Sequence, residues 1–446
     1  MAKSILIKNA SIVNENKTFL GDVLIENEII KKISSEIKAT ENFEVIDAEG
    51  KLLIPGFIDD QVHFREPGLT HKATINSESK AAVAGGITSF IEMPNTIPQT
   101  TTINELNKKF EIAHKSSYAN YSFMFGATNS NLDEIKKINK NEVAALKIFL
   151  GSSTGDMLVD NQQILRDIFL STDLIIVVHS EDEQIINENL KKYKIKYNSN
   201  IPFDCHSKIR SEEACLKSTK KIIKLAKETN ARLHVFHLST KLESLLFQND
   251  IPLKEKKITS EVCVHHLWFS DKDYKDKQSF IKWNPAIKTE EDRDGLWDSL
   301  LDDRIDVIAT DHAPHTLEEK SKPYLDCPSG GPLVQHALVS MIQHHLNNKI
   351  SLEKIVTKMC HNPAILFQIS KRGYVREGYY ADLVLIDINK SWTVNKDNIL
   401  YKCNWSPFEG VQFDSKITHT IVNGKIVYEN GLFNSTLCGK KLTFNR

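Results

Sequence analysis

The chain has 446 residues, 41% hydrophobic and 26% charged, with a formal net charge of −1 at pH 7. That length suits a large core with an accessory domain, and the balance is that of a soluble globular protein. It argues against a nucleic-acid partner, for want of any long basic tract, and against a membrane span, for want of a run approaching ~18 apolar residues.

The opening "MAKSILIKNA" lacks the apolar stretch of a secretory leader. The stretches "SILIKNASIV", "GDVLIENEII", "KKISSEI" and "FEVIDAEGKLLIPG" read as short strands joined by polar turns. From there the texture changes. Short apolar runs alternate with helix-like segments, the runs being "GFIDDQVH", "ITSFIEM", "YSFMFGA", "ALKIFLG", "LIIVVHS", "RLHVFHLS", "KITSEVCVHHL" and "DVIATDHAP". Eight alternations predict an α/β fold of the (β/α)8 TIM-barrel type over residues 55–371. The polar, Gly- and Pro-containing segment "HTLEEKSKPYLDCPSGGP" after the eighth run is the candidate long loop. The β texture returns in "ADLVLIDI", "SWTVN" and "THTIVNGKIVYENG", so residues 1–54 and 372–446 are expected to build one small β-sandwich from both termini. Seven scattered cysteines, never in a CxxC pair, point to free thiols in the cytoplasm.

In a barrel of this kind the chemistry collects at the C-terminal ends of the strands. The first end, in "DDQVHFREPG", carries Gln61 and His63, two apart and therefore on one face. Lys147 lies inside the fourth run, His179 closes the fifth, His237 the sixth and Asp311 the eighth. One strand-end histidine alone is more often a hydrogen-bonded structural residue. Three histidines, an aspartate and a lysine on five strand ends converge on one mouth. Imidazoles and a carboxylate suit zinc or a similar divalent ion. A lysine beside such an ion favours its neutral amine, and a neutral amine can capture carbon dioxide as a carbamate, an anionic bridging ligand.

These stations and their flanks resemble the amidohydrolase superfamily and, within it, the dihydroorotases. The likeness is carried by "PGFIDDQVHFREPG", "EMPNT", "LKIFLGSSTG", "HSED", "HLST", "WNPAIKT" and "TDHAPHTLEEK", in the right order, and by the terminal phrases "ADLVLID" and "VNGKIVY". The resemblance implies a metal-dependent cyclic amide hydrolase with one or two zinc ions. His63, Lys147, His179, His237 and Asp311 match metal-ligand positions, Lys147 as the carbon dioxide-derived carbamate. Arg65, Asn95 and His315 match groups that hold the substrate carboxylate, and Asn284 matches a substrate contact. Asp311 also matches the residue that moves the proton for the metal-activated hydroxide. Gly330 and Gly331 are read as presenting backbone groups to the ring. His265, His266 and His312 match no ligand role and are read as packing or supporting residues.

The implied reaction is the reversible cyclisation of N-carbamoyl-L-aspartate to L-dihydroorotate in pyrimidine (UMP) biosynthesis. Its partner is that small molecule, and the superfamily's habit of association implies a homo-oligomer such as a dimer. Gln61 departs from the pattern, since the family generally has histidine there. A glutamine carbonyl is a neutral ligand better suited to harder cations, so a working site with altered metal affinity is expected. Two rivals stay open. A hydantoinase or allantoinase keeps the chemistry and changes the ring, and the carboxylate clamp of Arg65 separates it. A non-catalytic scaffold for a partner such as aspartate transcarbamoylase is suggested by Gln61 alone.

Overall fold

The structure, a computed structural model, describes residues 4–151, 157–434 and 436–446. The "SSTG" of the fourth-strand motif, residues 152–155, lies outside the described residues.

Eight strands form the barrel: β1 (Phe57–Val62), β2 (Ile87–Glu92), β3 (Asn120–Phe123), β4 (Leu146–Phe149), β5 (Ile176–His179), β6 (Leu233–Val235), β7 (Ile258–Cys263) and β8 (Val307–Ala309). Neighbours pair in parallel from β1 to β3 and from β4 to β8, and the short strand Phe125–Gly126 carries the third station over to β4. The ring closes where the His63 amide donates to the His312 carbonyl at 2.7 Å. Buried on both faces, these strands are short and apolar rather than alternating with polar residues. Their side chains still alternate in direction. Leu146, Ile148, Ile176, Val178, Leu233 and Val235 pack into the large outer core, whereas Val177, Phe236 and Val307 meet Ile58, Ile91 and Met124 in a separate cluster.

Helices follow the strands with ordinary start signals. Glu212–Thr229, after β5, begins at Ser211, whose hydroxyl accepts the Ala214 amide, and buries Ala214, Cys215, Ser218, Ile222 and Ala226 at helical spacing. Among the described residues no helix is long and apolar enough to cross a membrane.

The termini meet in one continuous nine-stranded sheet. Its order runs Leu432–Phe433, Lys425–Glu429, Lys416–Val422, Leu383–Asp387, Leu52–Pro55, Ser4–Asn14, Lys17–Glu26, Ile29–Ser34, with Phe43–Asp47 also beside Ser4–Asn14. Ile5, Ile7, Val23, Ile25, Leu53, Leu383, Leu385 and Ile421 form its own core. Further along the chain, Trp405 reaches the barrel mouth and donates its indole N–H to the His315 carbonyl at 2.7 Å.

Candidate metal and substrate site

The strand ends open onto a cavity of about 320 Å³, at the lower end of the ~300–1,000 Å³ usual for small-molecule sites. All ten residues singled out by the sequence line it: Gln61, His63, Arg65, Asn95, Lys147, His179, His237, Asn284, Asp311 and His315. Local backbone geometry aims several of them. The β1–β2 register slips between Asp59 and Val62, so the alternation breaks just where Gln61 must turn to the mouth. Arg65, His237 and Asp311 adopt left-handed backbone, with φ of +68°, +40° and +48°. Non-glycine residues hold such conformations at a cost of order 1 kcal/mol each, and do so chiefly at functional sites.

The imidazoles converge. His179 Nδ1 and His237 Nε2 face each other at 3.1 Å. His179 Nε2 lies 2.9 Å from the Glu181 carboxylate, without hydrogen-bond geometry among the described residues. Burial would raise the Glu181 carboxyl, but Arg210 and His179 outweigh it and hold the group down, to about 2. Burial keeps His237 well below the ordinary imidazole range, with His179 and Lys147 adding to the effect. Its proton leaves readily and its lone pair is available.

On the other side of the mouth, His63 Nδ1 meets Asn95 Oδ1 at 2.8 Å and its Nε2 lies 3.3 Å from Asp311 Oδ1. Asp311 is 6% exposed, and burial lifts its carboxyl to about 7 against the opposing pull of Lys147. Lys147 is 1% exposed, with its ammonium 4.1 Å from the Phe236 ring centroid, and burial brings its pKa down to about 7. Two facing imidazoles, a third imidazole against a carboxylate and a desolvated amine make a donor set that fits a divalent ion.

Gln61 is placed differently from a ligand. Its amide nitrogen donates to Asp311 Oδ1 at 3.2 Å, and its carbonyl oxygen faces the Cys263 thiol at 3.6 Å.

The rim is cationic. Arg65, 4% exposed, donates through Nε to the Pro314 carbonyl at 3.1 Å and reaches His315 Nε2 at 3.1 Å. No ion pair among the described residues involves it. Burial lowers it to about 10, so it keeps its charge and faces the cavity unneutralised by a direct partner. Lys72 meets His315 Nδ1 at 3.1 Å and Glu319 at 2.9 Å. Asn284 turns a carbonyl oxygen to the site with no hydrogen-bond partner among the described residues.

Some expectations change. Gly330 donates to the Lys282 carbonyl and accepts from Lys320, and the Gly331 carbonyl accepts from Ala313. Three of their backbone groups thus have partners within the protein. The glycines are needed for space: a Cβ at 331 would come within 2.6 Å of Trp283. His312 meets Glu78 through Nε2 at 2.9 Å and accepts the Leu333 amide at Nδ1, a supporting role. Sequence reasoning missed Arg210 and Glu181. Glu181 sits two residues beyond His179 in "HSED", a spacing that could have found it; Arg210 follows a short helical turn, His206–Ile209, with no local signal.

Comparison with known proteins agrees with this geometry. A profile described as "Amidohydrolase family" matches residues 52–427. The chain is 31% identical over 442 residues to a dihydroorotase of Methanosarcina acetivorans, covering 96% of this chain and 93% of that one. It is 33% identical over 438 residues to a dihydroorotase of Carboxydothermus hydrogenoformans, covering 95% and 98%. Among solved structures it resembles an L-hydantoinase (dihydropyrimidinase) from Arthrobacter aurescens, with a TM-score of 0.93 at 26% identity over 99% of this chain and 100% of that one. With a family profile spanning most of its length and relatives matched nearly end to end, the chain belongs to the amidohydrolase family and, within it, to the dihydroorotases.

Proposed function

We propose that this cavity catalyses the reversible ring closure of N-carbamoyl-L-aspartate to L-dihydroorotate, a step of pyrimidine biosynthesis. The observation that carries this reading is the buried Arg65, without a carboxylate partner among the described residues, facing the convergent imidazoles across a small cavity. A neutral ring gives that charge nothing ionic to bind. A substrate carboxylate does, and guanidinium can take it through two parallel hydrogen bonds. Asn95 and His315 stand beside Arg65 in this reading, and the free Asn284 carbonyl accepts a ring N–H.

One or two zinc ions would be held by His63, His179, His237, Asp311 and a carbamate on Lys147. A bound ion there polarises the ring carbonyl and lowers the pKa of water. Gln61, as it stands, contributes a hydrogen bond to Asp311 rather than a ligand atom. Burial around Lys147 favours the neutral amine, whose lone pair attacks carbon dioxide.

In the hydrolytic direction Asp311 accepts the proton of the attacking water on its carboxylate and passes it to the leaving ring nitrogen. A carboxyl lifted to about 7 suits both halves of that task near neutral pH. Glu181, paired with Arg210, lies against His179 Nε2 and holds the ring in place. Closure consumes one carboxylate and one proton, so it is favoured at lower pH and ring opening at higher pH.

The same reading divides the chain into a composite terminal domain (1–54 and 372–446) and a catalytic barrel (55–371), supported by Phe57–Val62 opening the barrel one residue after the terminal-sheet strand Leu52–Pro55. It also places the protein in the cytoplasm as a homo-oligomer, in keeping with its seven free cysteines.

The test is loss of dihydroorotate absorbance with purified, zinc-loaded protein at mildly alkaline pH. Turnover is expected, and Arg65→Lys is expected to raise KM for dihydroorotate on the order of tenfold or more, about 1.4 kcal/mol. An unaffected KM, or turnover of hydantoin with none of dihydroorotate, would favour the hydantoinase reading that the structural likeness keeps in play.

A further inference from the structure

We propose that Cys263, His265 and His266, completed by the Gln61 carbonyl oxygen, form a second and closed site for a thiophilic divalent ion, zinc above all. The three side chains lie at the end of β7 and just beyond it, outside the residues that line the catalytic cavity. The thiol sulfur and one ring nitrogen of each histidine fall within 4.8 Å of one another, at exposures of 0%, 0% and 2%.

What marks the cluster is unmet polarity. Among the described residues neither nitrogen of His265 has a hydrogen-bond partner, nor does Nδ1 of His266. The Thr310 backbone lies near His265 and favours a proton there, without completing a hydrogen bond. His266 Nε2 donates to the Pro285 carbonyl at 3.2 Å, so its proton is placed and Nδ1 holds the lone pair. The Cys263 thiol has only long contacts, 3.6 Å to Gln61 Oε1 and 3.9 Å to Glu261. Each orphaned buried polar group costs about 1–3 kcal/mol, and three such nitrogens crowd one corner.

Packing accounts for part of this. His265 stacks on Trp283 with centroids 4.4 Å apart and planes at 18°. Stacking explains where the ring face lies and leaves the nitrogens on its edge without a purpose. A cation supplies one.

The donors also fit the ion. A thiolate, two imidazoles and a carbonyl oxygen make a four-coordinate set suited to zinc. Zinc bonds of about 2.0–2.3 Å bring such donors to roughly 3.5 Å apart, so shifts of about 1 Å close the site. Binding exchanges the thiol proton for the ion and releases that proton to solvent; nothing is oxidised or reduced. With all four positions filled by protein, the ion is structural. It ties the end of β7 to the end of β1 and gives Gln61 a task, since its amide nitrogen already serves Asp311.

The experiment is to produce the protein in zinc-depleted, cobalt-supplemented medium, so that the ion enters as the chain folds, and to record the near-ultraviolet thiolate-to-cobalt charge-transfer band. The catalytic donor set contains only nitrogen and oxygen, so the band reports this site alone. No other cysteine among the described residues joins a ligand cluster. The band is expected in the wild type, lost in Cys263→Ser and kept in Cys215→Ser, which alters another fully buried thiol. Zinc-grown Cys263→Ser is expected to carry one ion per chain fewer than wild type. A cobalt-loaded wild type without the band, or a band that survives Cys263→Ser, overturns the proposal. Should the variant fail to fold or cobalt fail to load, zinc-edge X-ray absorption of the wild type decides. A sulfur shell upholds the site, and a purely nitrogen–oxygen shell overturns it. Neither readout depends on turnover, so failure of the dihydroorotase reading would leave the second site standing or falling on its own spectrum.

Discussion

The barrel mouth and the terminal sheet both use left-handed backbone, but with different residues. In the terminal sheet these positions are mostly residues that tolerate the conformation in turns, among them Asn16, Asn27, Asn423, Gly424, Asn430 and Gly431, with Glu15 and Glu49 as exceptions. At the mouth they are Arg65, His237 and Asp311, which gain nothing locally from it. Polar groups divide the same way. Asp22 in the sheet accepts the Asn9 and Ile37 amides at 2.9 and 2.8 Å, and Asn14 exchanges two hydrogen bonds with Val375. Among the described residues, the mouth leaves His237 Nδ1 and the Asn284 oxygen without partners. One region follows the local rules of folding. The other breaks them where a ligand would make up the difference.

The largest expected effect breaks that contrast at Asp311. Replacement by Asn removes the proton carrier and should lower kcat by about 10²–10⁴. The same change should stabilise the metal-free protein. The folded carboxyl titrates near 7 because of burial, against ~3.9 in the unfolded chain. Between those values the folded state binds more protons than the unfolded one, so stability falls as pH rises through the window. Metal-free Asp311→Asn should therefore melt above wild type at about pH 8 and match it near pH 4. Equal melting at both values would mean that Asp311 carries no penalty. That would remove the mouth's claim to be the strained region.

A smaller effect is expected at Gln61. Gln61→His puts an imidazole where an amide nitrogen now donates to Asp311 and the carbonyl faces Cys263. Zinc affinity at the catalytic set should rise on the order of tenfold, about 1.4 kcal/mol, read by competition with a chelator. Unchanged affinity would show that position 61 stands outside the metal's reach and that the set is complete without it.

Much of this mouth was legible in the chain because barrel strands announce themselves. "ALKIFLG" and "LIIVVHS" are apolar runs that end in a polar residue, and the period of two then says which side chain faces inward. The same alternation made the terminal strands readable. What the sequence hid was set by packing between distant segments. Arg210 reaches Glu181 from beyond a helical turn, Lys72 reaches His315 from the loop after β1, and Trp405 roofs His315 from far along the chain. None of these carries a local pattern. The glycines at 330 and 331 hid their packing role for a related reason. Their use is to let Ala313 and Trp283 come close, and closeness across the fold is not written at either position.

The smallest effect tests whether the two regions are independent. Ile421, 1% exposed, sits opposite Leu383 in the terminal sheet and packs in its core. Ile421→Val removes one methylene and should cost about 0.5–1.5 kcal/mol, a shift of less than about 4 °C in Tm for a chain this long. Metal content, KM and kcat should not move, because Ile421 packs in the sheet's own core, apart from the residues that line the mouth. There is one route by which they could. Leu52–Pro55 runs into Phe57–Val62 across the single residue Gly56, so a sheet strand feeds directly into the strand that carries Gln61. A Cβ at Gly56 would meet Thr88 at 2.0 Å, so this junction is tightly packed and would pass strain on rather than absorb it. If KM for dihydroorotate nevertheless rises with Ile421→Val, the junction couples the regions, and the terminal sheet acts as a support that sets the position of β1.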